Sequence, residues 1–105
     1  MPLTNEIIIS GKYTWIRPNG KCLIIGLNCY LLDAGEYVWS VDLPEPGDDI
    51  YVDDYFVTVE TSKGLVEVFS PITGYVEKIN EEVLANPDLI NYSPYEGGWL
   101  VVARM

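Results

Sequence analysis

The stretch that decides the fold is FVTVETSKGLVEVF, residues 56–69. Val57 and Val59 alternate with polar residues before a short break, and Val66 and Val68 alternate with other residues after it. Period-2 alternation on both sides of a polar break is typical of a β-hairpin. Gly64 can adopt a positive φ and close the turn. The pattern therefore predicts a two-stranded hairpin with Lys63 at or next to its tip.

Lys63 is one of four lysines in a chain with 16 acidic residues. At the tip of a rigid hairpin its amine is accessible, and a group attached there does not disturb the core. Such a lysine is a suitable point for covalent modification. Solubility is the simpler explanation for an exposed lysine, and the residues alone leave both open.

Further strands follow from the turn signals that recur every 8–12 residues along the rest of the chain. Short β-rich runs between Gly- and Pro-containing turns predict a mainly β sandwich or flattened barrel. The strands are expected at Tyr13–Arg17, Lys21–Gly26, Tyr37–Leu43, Tyr55–Glu60, Leu65–Phe69, Gly74–Ile79 and Trp99–Ala103.

Two short helices fit between the strands. Asn28 can cap a turn or two through Ala34, with Gly35 as the stop. Asn80 is a good N-cap for a second helix over Glu81–Ala85, which we expect to end before Pro87.

Composition excludes several function classes. The chain has 105 residues and a net charge of −10, with 49% hydrophobic residues and no histidine. This length predicts one domain, residues 1–105. The negative charge disfavours nucleic acid and anionic membranes as partners. The absence of histidine excludes Ser/His, Cys/His and His-metal sites.

The cysteines and the N-terminus indicate in which cellular compartment the protein is expected. Cys22 and Cys29 are too few to hold a metal, and we expect both to be reduced, small and buried. The N-terminus MPLTNE has no basic region, and the apolar run at residues 7–9 is too short to span a bilayer. The expected location is the cytoplasm.

The hairpin resembles the lipoyl-lysine region of the glycine cleavage system H protein family. That region reads Glu-Ser-Val-Lys-Ala, then Tyr-Ser-Pro-Val-Ser-Gly-Glu-Val and Val-Asn-Glu. It aligns without a gap, so the family's lysine falls on Lys63, its glutamate three positions before falls on Glu60, and its glycine eleven positions after falls on Gly74. The matching segments here are ETSKG (60–64), FSPITGYV (69–76) and NE (80–81).

Two other segments extend the resemblance over nearly the whole chain. LPEPGDDI (43–50) is similar to the family's Leu-Pro-Glu-Val-Gly-Asp-Glu-Val, and NPDLINYSPY (86–95), followed by GWL (98–100), is similar to a specific block near the family's C-terminus. Lipoyl domains of 2-oxo-acid dehydrogenases place Asp before the lysine, and biotinyl domains flank it with Met. Ser62 and Gly64 occupy those positions here, which favours the H-like branch.

The resemblance implies a lipoyl/biotinyl-type barrel-sandwich fold and a carrier that is not an enzyme. Lys63 would carry lipoate as an amide, and Glu60, Gly64 and Gly74 would be recognition residues for the enzyme that attaches it. The resemblance also implies a lipoate ligase or lipoyl synthase as a partner. The arm would accept an aminomethyl group from glycine decarboxylase, pass it to aminomethyltransferase and be reoxidised by dihydrolipoamide dehydrogenase.

The acidic surface and three aromatics have two interpretations each. Exposed carboxylates would speed the encounter with positively charged partners, or would only keep the protein in solution. The candidates are Glu60, Glu67, Asp48, Asp49, Asp53 and Asp54. Tyr92, Tyr95 and Trp99 would shelter the loaded arm, or would pack in the core and on the surface of the C-terminal strand.

Departures from the family pattern keep alternatives open. The family's His-Glu-Trp is YTW at residues 13–15, its Thr-Asp-Tyr-Ala is NCYL at 28–31, and Asp53 stands where glycine is usual. Family members normally continue into a C-terminal helix beyond the point that corresponds to Met105. The alternatives are an H-like lipoate carrier of another pathway, either sulfur oxidation with heterodisulfide-reductase-like enzymes or lipoate relay, and an unmodified interaction scaffold.

Overall fold

A computed structural model describes residues 6–105 and shows nine strands and two short helices within them. The elements, in chain order, are β1 (Ile8–Ser10), β2 (Thr14–Asn19), β3 (Cys22–Leu27), β4 (Val38–Asp42), β5 (Asp49–Ile50), β6 (Tyr55–Thr61), β7 (Gly64–Phe69), β8 (Gly74–Ile79), α1 (Glu81–Ala85), α2 (Asp88–Tyr92) and β9 (Val101–Arg104).

The strands form two open sheets. One contains six strands in the order β1-β2-β3-β9-β8-β5, and the other contains three in the order β4-β6-β7. All pairings between these strands are antiparallel. The mainly β fold class is confirmed, as are the seven strands expected from the turn signals, with shifts at their ends. The sequence signals missed β1 and the two-residue β5, which are too short for a detectable alternation.

One hydrophobic core is shared by the two sheets. The three-stranded sheet contributes Val57, Val59 and Val68, and the six-stranded sheet contributes residues such as Ile25 and Val101. Val59, Ile25 and Val101 are completely buried. Burial of one such side chain stabilises the fold by about 1.5–3 kcal/mol. The alternation seen in the hairpin sequence therefore directs its valines into this core.

The helix expected from Asn28 to Ala34 is wrong, because these residues form turns and bends. Asn28 is buried, and its side-chain amide donates to the carbonyl of Thr14 at 3.1 Å. Its Oδ1 accepts from the amide of Tyr30 at 2.9 Å, which closes a single turn. The asparagine thus fixes the end of β3 instead of starting a helix. Gly35 does adopt a positive φ, of 81°.

The second expected helix is confirmed as α1, and the side chain of Asn80 accepts from the amide of Glu82. Helix α2 is not predicted by the sequence, where Pro87 indicates only that α1 ends. In the structure Pro87 also stands at the N-cap of α2. Proline fits the start of a helix, where an amide proton has no partner. The side chain of Asn91 in α2 bonds both backbone groups of Val38, at 2.8 and 3.0 Å, and so ties α2 to the first residue of β4.

Among residues 6–105 no helix has the length and apolar character needed to cross a bilayer. The first five residues, on which part of the leader-peptide expectation rests, lie outside the described residues. The assignment of residues 1–105 to one domain stays a prediction.

Candidate modification site

The hairpin formed by β6 and β7 has a two-residue loop. Thr61 pairs with Gly64 and Glu60 pairs with Leu65, which leaves Ser62 and Lys63 in the turn. Gly64 has φ +129°, and a Cβ built on it would meet no atom within 4 Å. The expectation that Gly64 adopts a positive φ is confirmed. The turn therefore needs glycine for its backbone conformation and not for lack of space.

Lys63 stands in this loop with its side chain 57% exposed. Its Nζ lies 3.2 Å from Oδ2 of Asp33, whose side chain is 79% exposed. An ion pair so open to solvent contributes only ~0–1 kcal/mol. The amine is thus accessible to a modifying enzyme, and the carboxylate beside it was not anticipated from the sequence, because it lies 30 positions away.

The buried side chain of Thr61 stabilises the base of the loop through hydrogen bonds. It is 1% exposed, and its Oγ1 donates to Oε2 of Glu36 at 2.6 Å and accepts from the amide of Lys63 at 3.1 Å. Glu36 also accepts, through Oε1, from the amide of Asp33 at 2.9 Å. The Thr61 hydroxyl, followed by the Asp33 amide, lowers the pKa of Glu36 below its usual value. One carboxylate therefore links the loop before β4 to the hairpin tip.

Ser62 extends this link through the backbone. Its amide donates to the carbonyl of Tyr37 at 2.9 Å, and its Oγ accepts from the amide of Tyr37 at 3.1 Å. These bonds continue the β4–β6 ladder by one step beyond Val38 and Thr61. The loop that carries Lys63 is consequently held by Glu36 and Tyr37, and the lysine side chain makes only the exposed ion pair with Asp33 described above.

The other residues singled out by the sequence fall into two groups. Glu60 lies in β6, is exposed, and accepts from Oγ of Ser40 at 3.3 Å. Glu60 and Gly64 therefore share the hairpin with Lys63. Gly74 begins β8 in the other sheet, where a Cβ would lie 2.2 Å from the carbonyl oxygen of Arg104. Gly74 thus has a steric role in the fold, and recognition by an attaching enzyme stays a prediction for all three.

The acidic candidates are mostly turn residues. Asp48 accepts from the amide of Glu45 at 2.9 Å, and Asp53 adopts φ +68°, so aspartate serves where the family usually has glycine. The backbone carbonyl of Asp54 accepts from the amide of Ser70 at 2.7 Å, while Asp49 is exposed in β5. Glu67 is exposed in β7, opposite Thr58. Of this set, only Glu60 and Glu67 lie on the hairpin.

The cysteine expectation needs correction. Both cysteines are free, but Cys29 is exposed and Cys22 is only half-buried, so neither is a core residue. Cys29 follows Asn28, whose side chain takes the buried position at the end of β3. Sγ of Cys22 lies 3.4 Å from Oε2 of Glu77. Among residues 6–105 no group of three or more His, Cys, Asp or Glu side chains is arranged to hold a metal.

The C-terminal aromatics do not form one surface. Tyr92 is 83% exposed at the end of α2, and Trp99 is half-buried. Tyr95 packs on Trp15 with ring centroids 6.0 Å apart, and its hydroxyl accepts from the amide of Cys29 at 2.8 Å. Burial raises the pKa of Tyr95. Tyr95 therefore has a packing role, and a shelter for the arm built by all three stays a prediction.

The two sheets packed on one core, with a lysine at the turn of one hairpin, have the architecture of the barrel-sandwich class. The model of the glycine cleavage H-protein family matches residues 7–105. The glycine cleavage system H protein of Bacillus mycoides strain KBAB4 is 36% identical over 106 residues, covering 100% of this chain and 83% of that protein. The H protein of Halalkalibacterium halodurans is 37% identical over 103 residues, covering 97% of this chain and 80% of that protein.

A solved structure agrees on the fold. The crystal structure of a glycine cleavage system H protein from Mycobacterium marinum superposes with a TM-score of 0.85, covering 97% of this chain and 85% of that one, at 22% identity. The chain belongs to the glycine cleavage H-protein family. It is a carrier component and not an enzyme. The family resemblance read from the hairpin and the C-terminal block is thereby confirmed.

Proposed function

We propose that Lys63 carries lipoate as an amide and that the chain, acting as one domain over residues 1–105, serves the glycine cleavage system. The observation that carries this proposal is an exposed amine on a loop whose backbone is fixed by hydrogen bonds to Thr61 and to the segment before β4. Attachment forms the bond from Nζ to the lipoyl carbonyl carbon, breaks the acyl–oxygen bond of an activated lipoyl group, and releases one proton and the leaving group.

Lipoate, when bound, supplies a disulfide that can be reduced while it accepts a carbon unit and can later be reoxidised. The chain's own residues supply position. Thr61 and Ser62 hold the backbone of the loop, and Gly64 lets it turn back into β7. A fixed base with a flexible arm raises the local concentration of the arm's sulfurs at each partner.

The proposed partners are glycine decarboxylase, aminomethyltransferase and dihydrolipoamide dehydrogenase, between which the arm would carry an aminomethyl group in the cytoplasm. A lipoate ligase or lipoyl synthase is the proposed partner in forming the lipoyl group on Lys63. Glu60 is proposed as a recognition residue for the loading enzyme, because its carboxylate is exposed three positions before Lys63 on the same hairpin.

Reconstitution tests the carrier role directly. The lipoylated chain, mixed with purified glycine decarboxylase, aminomethyltransferase, tetrahydrofolate, dihydrolipoamide dehydrogenase and NAD⁺, is expected to support glycine-dependent NADH formation. Lys63→Arg protein, taken through the same loading reaction, is the matched control and is expected to support none. A lipoylated wild-type chain that supports no turnover, beside a family member that does, would contradict the glycine-cleavage assignment.

A second candidate function rests on one observation in this chain. The family's His-Glu-Trp is replaced by YTW at residues 13–15, and Thr14 is 1% exposed with its hydroxyl bonded to the carbonyl of Ser10. A charged glutamate is thus replaced by a buried, locally bonded threonine, which changes what this position offers to a partner. A lipoate carrier for sulfur oxidation or lipoate relay would be lipoylated at Lys63 and fail in the glycine assay.

A further inference from the structure

Cys22 begins β3 in the six-stranded sheet, beside the last residue of β9. Leu23 is paired with Ala103, so that Cys22 and Arg104 lie next to each other one position further along. Ala103 is completely buried. Because side chains alternate between the two faces of a sheet, Cys22 and Arg104 stand on the outer face, away from the core. A thiol and a guanidinium therefore share one end of this face.

A bulge in β8 adds a carboxylate to this pair. The register shifts between Val76 and Lys78, which makes Glu77 the extra residue of β8. Bulges occur where a side chain is directed toward a site. Oε2 of Glu77 lies 3.4 Å from Sγ of Cys22, and Oε1 lies 3.3 Å from Nε of Arg104. One carboxylate therefore contacts both the thiol and the guanidinium, and three strands contribute to the cluster.

The guanidinium of Arg104 also contacts the thiol. Interaction with the Cys22 side chain, followed by the charge of Glu77, raises the pKa of Arg104. Nε of Arg104 is buried and donates no hydrogen bond to any of residues 6–105. A buried donor without an acceptor is costly. An oxygen atom bonded to the sulfur of Cys22 would supply an acceptor at this place, so the cluster favours an oxidised form of the thiol.

Cys29 offers a comparison within the same chain. It is exposed, whereas Cys22 is half-buried. The side chain of Cys29 meets the hydroxyl of Tyr95, which is uncharged at pH 7. Oxidation of a thiol depends on its exposure and on nearby positive charge that stabilises the thiolate. Exposure alone makes Cys29 the more reactive thiol, so a faster reaction at Cys22 would have to come from its charged neighbours.

We propose that Cys22 is an oxidation-sensitive modification site that reacts with hydroperoxides. The proton of the thiol passes to the Glu77 carboxylate, and the sulfur attacks the terminal oxygen of the hydroperoxide. The oxygen–oxygen bond breaks, and the leaving alkoxide, or hydroxide from hydrogen peroxide, takes the proton from Glu77. The sulfur is oxidised by two electrons to a sulfenic acid, and the hydroperoxide is reduced to an alcohol or to water. Arg104 stabilises negative charge on the sulfur before the attack and donates to the new oxygen afterwards.

This site is separate from the hairpin that carries Lys63. Strands β3, β8 and β9 belong to the six-stranded sheet, and β6 and β7 belong to the other sheet. The inference therefore does not depend on what Lys63 carries. A low-molecular-weight thiol would reverse the oxidation, because it condenses with the sulfenic acid to a mixed disulfide and water, and a second such thiol then releases Cys22.

The test is the rate of sulfenic acid formation in the purified chain treated with hydrogen peroxide. Dimedone traps the sulfenic acid, and peptide mapping by mass spectrometry gives the rate at each cysteine. We expect Cys22 to react about tenfold faster than Cys29 in the wild type. Arg104→Gln is expected to lower the rate at Cys22 by about tenfold, and Arg104→Lys to restore most of it, because the positive charge returns. Glu77→Gln is expected to lower it by a smaller factor.

Arg17→Gln is the matched control. It removes the same charge from the same sheet, but the guanidinium of Arg17 lies over the ring of Trp15, 5.5 Å from its centroid. We expect it to leave the rate at Cys22 unchanged, and thermal unfolding of each variant shows whether its fold is intact. Equal rates at the two cysteines, or a folded Arg104→Gln protein with the wild-type rate, would overturn the proposal. The wild-type comparison needs no variant, so it remains valid even where Arg104→Gln does not fold.

Discussion

Two glycines in this molecule are required for opposite reasons. Gly64, at the hairpin tip, has φ +129° and open space where a Cβ would stand. Gly74, at the β8–β9 seam, lacks a positive φ but has the carbonyl oxygen of Arg104 2.2 Å from where its Cβ would be. At the hairpin tip glycine is needed for its backbone conformation, and the space around it is open. Between β8 and β9 glycine is needed because the two strands pack too closely for a side chain. Variants at the two sites should therefore fail in different ways.

The largest effect is expected from Gly74→Ala. The new Cβ would collide with backbone atoms of Arg104, which cannot move aside as a flexible side chain would. Overpacking of this kind costs about 1–3 kcal/mol or more. Urea unfolding should show this loss of stability, and lipoylation per folded molecule, measured on the same sample, separates the steric role from a role in recognition. Unchanged stability with impaired lipoylation would assign Gly74 to recognition alone.

Gly64→Ala should have the reverse profile. The side chain meets nothing, so only the positive φ is strained, at a cost of about 1–3 kcal/mol. The change moves the loop that carries Lys63, so the rate of lipoylation should fall while the core stays folded. Stability from urea unfolding and the modification rate should be measured on the same sample. A wild-type rate would show that the attaching enzyme tolerates a displaced loop.

Thr61→Val tests the brace under the loop. The substitution keeps the shape of the buried side chain and removes the hydroxyl that bonds Glu36 and the amide of Lys63. The loss should be about 1 kcal/mol, with faster hydrogen exchange at the Lys63 amide. Exchange at β8–β9 amides serves as the internal control and should change only as far as global stability does. An equal increase in hydrogen exchange at the Lys63 amide and at the β8–β9 amides would contradict a local stabilising role of the Thr61 hydroxyl.

The smallest effect is a pH dependence confined to the tip. The pKa of Glu36 is lowered in the folded chain, so its ionised form stabilises the fold above the unfolded value of about 4.5 and this contribution is lost as the pH falls through the lowered pKa. Carboxyl carbon shifts followed by NMR should give a Glu36 pKa below 4.5. In Thr61→Val the pKa should return toward 4.5, because its largest cause is removed. An identical pKa in both proteins would refute the Thr61–Glu36 bond.

The same contrast explains what the sequence could predict. The hairpin, α1 and the tip position of Lys63 follow from local signals: valine alternation, a capping asparagine, and a glycine after a polar turn. The Asp33–Lys63 pair, the Glu36–Thr61 bond and the exposure of Trp39 depend on residues 20 or more positions apart or on a bulge, which no local pattern encodes. The error at Asn28 has the same origin, because contacts with β2 override a good helix cap.

The central claim is that Lys63 carries a lipoyl amide. The most direct measurement is the intact mass, with peptide mapping, of the chain purified from its native host, for the wild type and for Lys63→Arg. We expect the wild type to carry the mass of one lipoyl group on the peptide that contains Lys63, and the variant to carry none. An unmodified wild-type chain from cells that lipoylate their other carriers would contradict the account and favour an unmodified interaction scaffold.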